Sequence, residues 1–156
     1  MFMLLAAGVI FSGCSDNDDY SVVLPTYSDV VFQQGGEVVS SRSVKVGEPV
    51  TVTLVQAKKG VHIYRYTYQW SCSDELSGLV AGQTSSNYDS DATNSFTPQS
   101  VGTYTLTIRV NFDYSGSGAA RVPAEYEIAD GTVSYSAAGA LYGQAVVTKV
   151  FKVIDN

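Results

Sequence analysis

Few residues in this chain could do chemistry, and their spacing limits what that chemistry is. There are two cysteines, Cys14 and Cys72, and one histidine, His62. A reactive thiol needs a base or another positive group close by. His62 and Cys72 fall on one predicted strand, about 33 Å apart along it, so they cannot pair. Asp89 and Asp91, with Asn87 and Asn94, offer oxygen atoms of the kind that bind Ca²⁺. The Asp-x-Asp-x-Asp-Gly pattern of a calcium loop is absent, so a solvated loop is the favoured reading and no metal or cofactor is expected. Glu75, Asp89, Glu125 and Glu127 lie in predicted loops or on exposed strand faces, where no acid–base pair can be located. Gly-x-Ser-x-Gly, phosphate-loop and His-Glu-x-x-His motifs are also missing. Enzyme activity is therefore not expected.

The N-terminus carries a different kind of signal. Residues 1–11 are almost purely apolar and run into Ser12-Gly13-Cys14. The run is shorter than the roughly 20 residues needed to cross a bilayer, and its length and small-residue ending fit a secretory signal. Phe11-Ser12-Gly13-Cys14 resembles the lipobox of bacterial lipoproteins, which implies that Cys14 is lipidated and becomes the mature N-terminus. The run that follows, Ser15-Asp16-Asn17-Asp18-Asp19, resembles the surface-export signal of Bacteroides-type lipoproteins. The implied address is the outer membrane, facing the cell surface, with the acyl chains as tether and the domain in water. Acylation of Cys14 would leave Cys72 without a disulfide partner, as a buried, inert thiol.

The elements behind these residues read as strands. The chain has 156 residues, 45% hydrophobic and 15% charged, with eleven tyrosines. That composition is globular and favours β-structure. A net charge of −6, with scattered Lys and Arg, argues against a nucleic-acid partner. Val50, Val52 and Leu54 alternate with threonines, as in a half-buried strand. His62, Tyr64, Tyr66, Tyr68, Trp70 and Cys72 share the predicted inner face of the next strand. Tyr104, Leu106, Ile108, Val110 and Phe112 do so in a third. Asp130-Gly131 reads as a two-residue hairpin turn that sets Tyr126 opposite Tyr135 and Ile128 opposite Val133. Short strands are expected around Leu79-Val80 and Tyr88, and Gln144 to Ile154 forms the closing strand, whose inward face the pattern leaves open.

Val46-Gly47-Glu48-Pro49-Val50-Thr51-Val52-Thr53-Leu54, then Tyr68-Gln69-Trp70, then Phe96-Thr97-Pro98 with Gly102-Thr103-Tyr104-Thr105-Leu106-Thr107-Ile108, resembles a PKD-like domain. The likeness implies an Ig-like antiparallel β-sandwich, here with an extra β-hairpin before the last strand. It also implies adhesion, spacing or glycan-related work without catalysis. Residues 1–13 are then the signal peptide, 14–36 the lipidated cysteine, acidic run and tether, and 37–156 the sandwich. Val22 to Pro25 can pair as an edge segment within that tether.

Trp70, Cys72, Tyr104, Leu106, Ile108, Val52 and Leu54 are the expected structural core, with Trp70 as its plug and Tyr104 a corner tyrosine. Tyr126 and Tyr135 are the candidates for ligand contact, since aromatic faces with polar tips suit sugar stacking. The expected partners are a membrane through the anchor and either a glycan or a protein. A glycan would come through a polysaccharide-uptake system, a protein through strand addition to an exposed edge.

Overall fold

The computed structural model describes residues 21–85, 91–115, 120–137 and 141–156. These residues form a β-sandwich without helix. Cys14 and its acidic run, Ser15 to Asp19, lie outside the described residues, as do Asn87, Tyr88 and Asp89.

The strands are β1 (Thr26–Gln34), β2 (Glu37–Val39), β3 (Val44–Lys45), β4 (Val50–Lys58), β5 (Ile63–Cys72), β6 (Gly82–Ser85), β7 (Ala92–Phe96), β8 (Gly102–Tyr114), β9 (Tyr126–Ile128), β10 (Gly131–Ala137) and β11 (Tyr142–Ile154). One sheet has the order β2-β1-β4-β7. The other runs β6-β5-β8-β11-β10-β9, and the short β3 pairs in parallel with β11. Every other pairing between these strands is antiparallel. The hairpin β9–β10 lies directly before the last strand and extends the larger sheet at its edge.

Alternation explains the packing. On β4, Val50, Val52 and Leu54 are buried, and on β8 the buried set is Tyr104, Leu106, Ile108, Val110, Phe112 and Tyr114. Phe151 of β11 sits between Phe32 of β1 and Tyr104 of β8, with ring centroids 5.1 and 5.3 Å away. Phe96 closes the group at 5.7 Å from Phe151. A second group sets Tyr66 edge-on to Phe112 at 5.5 Å. The buried hydrophobic residues run from Val22 to Val153, so residues 21–156 hold the described core.

Four expectations need correction. The segment 14–36 is not tether throughout. Val22 and Leu24 are core, and β1 crosses the middle of the smaller sheet between β2 and β4. Gly35 and Gly36, at φ +59° and +86°, make its tight turn into β2, a conformation that glycine adopts without strain. In β5 a bulge between Ile63 and Arg65 breaks the alternation, so Ile63 is buried while His62 and Tyr64 are exposed. The β9–β10 turn is Ala129-Asp130, one residue earlier than expected, so Ile128 pairs with Gly131 and Tyr126 with Val133, each partner two residues from the expected one. A Cβ at Gly131 would come within 2.0 Å of the Thr148 carbonyl oxygen, so close strand approach explains this glycine. Finally, Leu79-Val80 is not a strand, and the strands of that region are β6 and β7.

Candidate functional site

Trp70 lies on the inner face of β5 and is buried. Its indole N–H donates to Gln83 Oε1 at 3.0 Å, and Gln83 Nε2 donates to the Thr93 carbonyl at 3.0 Å. This relay joins β6 of the larger sheet to β7 of the smaller one. Tyr104 donates its hydroxyl to the Ser100 carbonyl at 2.8 Å and lies 2.9 Å from Ser100 Oγ, which ties the strand to the loop before it. Val52, Leu54, Leu106 and Ile108 are fully buried. Cys72 is only half-buried, at the end of β5. Burial still pushes its thiol pKa up, against hydrogen bonds from Asp74 and Ser73 that lower it. A raised thiol is a poor nucleophile at neutral pH.

Tyr126 and Tyr135 come together, with ring centroids 6.2 Å apart. Their hydroxyls, 3.2 Å apart, face the start of β1. Tyr126 donates to the Tyr27 carbonyl at 2.7 Å and accepts from the Tyr27 N–H at 2.8 Å, while Tyr135 donates to the Pro25 carbonyl at 2.9 Å. Burial and the Tyr126 hydroxyl push the Tyr135 pKa far above the usual phenol value. The pair therefore staples the hairpin of the larger sheet to the first strand of the smaller one. Its hydroxyls are hydrogen-bonded within the protein, while both rings are only partly buried against the core.

Of the calcium candidates, Asp91 accepts the Gln56 N–H at 2.9 Å. Asn94 is buried and exchanges hydrogen bonds with Val80, donating to its carbonyl at 2.8 Å and accepting its N–H at 3.2 Å. Among the described residues no group of three or more His, Cys, Asp or Glu is placed to hold a metal ion.

A polar cluster that the sequence did not suggest lies between the sheets. Lys149 points inward from β11 and is 2% exposed. Its ammonium donates to Asp29 Oδ1 on β1 at 2.7 Å and to the Ala129 carbonyl at 2.6 Å. Next to it, Asp130 accepts from Ser41 Oγ and from Arg42 Nη2, both at 2.7 Å. These bonds, Ser41 first, hold the Asp130 pKa below the usual carboxylate value. A cleft of about 250 Å³ opens here, with Asp29, Ser41, Asp130 and Lys149 among its lining residues.

Two surfaces stand out among the described residues. The outer face of the larger sheet carries rows of uncharged polar side chains, such as Ser71, Thr107, Thr148 and Thr132, in register across β5, β8, β11 and β10. At the end of the sandwich where the chain enters, Val23 bridges to Val61 and Arg121. There Val61, Tyr64, Leu141 and Tyr142 are 44%, 50%, 63% and 51% exposed. Exposed Lys58, Lys59, Arg65 and Arg121 share this end, and Arg65 is paired with Asp113. No family model matches the chain, and neither a curated protein nor a solved structure matches it.

Proposed function

We propose that the chain is a lipid-anchored module of the outer membrane that faces the cell surface and acts by binding. The observation that carries this reading is the place of Cys14 relative to the folded body. The cysteine follows an apolar run and precedes an acidic one, and the buried core begins at Val22. Anchor and sandwich are thus separated by a tether of only a few residues, too short to hold another folded unit. Catalysis is not part of the proposal: the half-buried thiol of Cys72 has its pKa pushed up, and His62 is exposed at the opposite end of β5. The resemblance to PKD-like domains fits the same role. Growing cells with an alkyne-tagged fatty acid tests the anchor. Label should appear on the wild-type chain and vanish with Cys14→Ser, which should also leave the membrane fraction. A Cys14→Ser chain that still labels and sediments with membranes would refute it. Loss of the domain to protease added outside intact cells tests the surface orientation.

A second reading, glycan capture, is favoured by the outer face of the larger sheet, where hydroxyl and amide rows on either side of Arg109 offer hydrogen-bonding groups to a sugar. Thr107→Arg with Thr148→Arg should abolish binding on a glycan array, and an array without hits would count against capture. Strand addition is less well supported, because β2, β6, β7 and β9 at the sheet edges are only 3, 4, 5 and 3 residues long. Short edges are poor templates for a partner strand.

A further inference from the structure

We propose that the end of the sandwich formed by Lys58, Lys59, Tyr64, Arg121, Leu141 and Tyr142 rests on an anionic lipid headgroup surface, so that the domain is oriented by its membrane and not only tied to it. The proposal rests on the lipid-anchor reading and adds a contact that the anchor alone does not require.

Three observations meet at this end. The first is reach. Seven residues lead from Cys14 to Ser21, and a chain of that length spans at most about 25 Å when extended, so the end through which the chain enters stays close to the bilayer. The second is side-chain type. Tyr64, Leu141 and Tyr142 are each at least half exposed. Tyrosine is enriched at membrane–water interfaces, where its ring and hydroxyl meet both phases. The third is charge. Although the chain carries a net charge of −6, Lys58, Lys59 and Arg121 gather here, and the carboxylate of Asp113 is tied to Arg65. Glu37, Glu48, Asp74, Glu75 and Asp155 lie toward the opposite end with Arg42, Lys45 and Lys152. Asp91 shares the entry end through the Gln56 N–H, so among the described residues the basic excess falls at the entry end. The field of the domain therefore turns its basic end toward an anionic surface.

Another occupant is the chain's own acidic run, Asp16 to Asp19. It would match the lysines but leave Tyr64, Leu141 and Tyr142 in water, whereas a headgroup layer accommodates both. The membrane is the better fit.

The test uses residues 15–156, which contain the described core and lack both Cys14 and the apolar leader. The probe is vesicles of phosphatidylcholine with one quarter phosphatidylglycerol, read by co-sedimentation. Binding is expected at low salt and should weaken as salt rises. Each basic residue near an anionic surface strengthens binding about five-fold, so Lys58→Gln with Lys59→Gln should weaken it about 25-fold. Leu141→Ser with Tyr142→Ser should also weaken it, and Lys152→Gln at the far end should not. Circular dichroism of each variant checks that the sandwich is intact. Absence of binding overturns the proposal, and so does binding indifferent to salt and to the lysine pair. If vesicles bind only after Asp16, Asp18 and Asp19 are changed to Asn, the acidic run covers this end and the proposal fails. Cys14 labelling is scored separately: labelling without vesicle binding sinks only the resting contact, and binding without labelling sinks the anchor.

Discussion

Removing Asp29 should damage the protein far more than removing Lys149, although the two form one ion pair. Asp29→Ala leaves the Lys149 ammonium almost fully buried, with only the Ala129 carbonyl at 2.6 Å among its present partners. Stranding one member of a buried pair typically costs 3–5 kcal/mol. The Asp29 side chain is itself 35% exposed, so water can enter where the carboxylate was, and the cost falls to about 2–3 kcal/mol. For a domain of this size that corresponds to roughly 8–12 °C in melting temperature. Lys149→Met keeps the length of the side chain and removes the charge. It leaves Asp29 facing water and the Val30 N–H, 2.7 Å from Oδ1, so the loss should stay below about 1 kcal/mol. Asp29→Ala with Lys149→Met should then recover most of the stability, giving a coupling of about 2 kcal/mol. Urea unfolding followed by Trp70 fluorescence measures all four proteins. Equal losses for the two single variants, or additive losses in the double variant, would refute the assignment of Lys149 as a stranded charge.

Trp70→Ala should cost about 3–5 kcal/mol in urea unfolding followed by circular dichroism, as expected for a buried indole of this size. Tyr104→Phe removes only the hydroxyl that reaches the Ser100 carbonyl and should cost about 1 kcal/mol by the same measurement. Asp130 should titrate below the ordinary carboxylate range in a carboxyl ¹³C NMR series, and Ser41→Ala should raise its midpoint. Because the folded pKa is depressed, the Asp130 contribution is complete above the unfolded-state value and fades as pH falls through the folded one; Asp130→Asn should abolish that part of the acid sensitivity. Cys72 should react slowly with a disulfide reagent at neutral pH and accelerate only above the ordinary thiol range. Rapid reaction at pH 7 would contradict the raised pKa.

What could be read from the chain depended on whether a strand keeps its phase. In β4 and β8 the alternation is unbroken, so Val50 to Leu54 and Tyr104 to Phe112 announce their inner faces. β1 hides itself because irregularities between Thr26 and Asp29 shift the phase, leaving Tyr27, Val30, Phe32 and Gln34 as the buried set. Gln34 is also polar, and it is tolerated inside because its amide bonds the Lys45 backbone at 2.8 and 3.0 Å. The same kind of slip displaced His62 and Tyr64 from the inner face of β5. β11 gave no inward face because both of its faces are mixed: Gly143, Ala145, Val147, Lys149, Phe151 and Val153 point in, while Val146, Val150 and Ile154 sit among the outward residues. A buried lysine imitates an exposed one in sequence until its partner is known, and Asp29 is 120 positions away. For the tyrosines, side-chain type was legible but direction was not. Tyr126 and Tyr135 point into the protein, and Tyr64 and Tyr142 point out.

The direction of β1 and β11 bears on how the domain carries force. Both strands start at the end where the chain enters and run away from it, β1 in the smaller sheet and β11 in the larger. A pull between Val22 and Ile154 therefore acts along the strands. It drives the sheets past one another, loading the β1–β4 hydrogen bonds side by side instead of unzipping them in turn. Phe32 against Phe151, Lys149 against Asp29, and the tyrosine staple all cross the plane that would have to slip. The sandwich is thus braced in shear along the line from Val22 to Ile154.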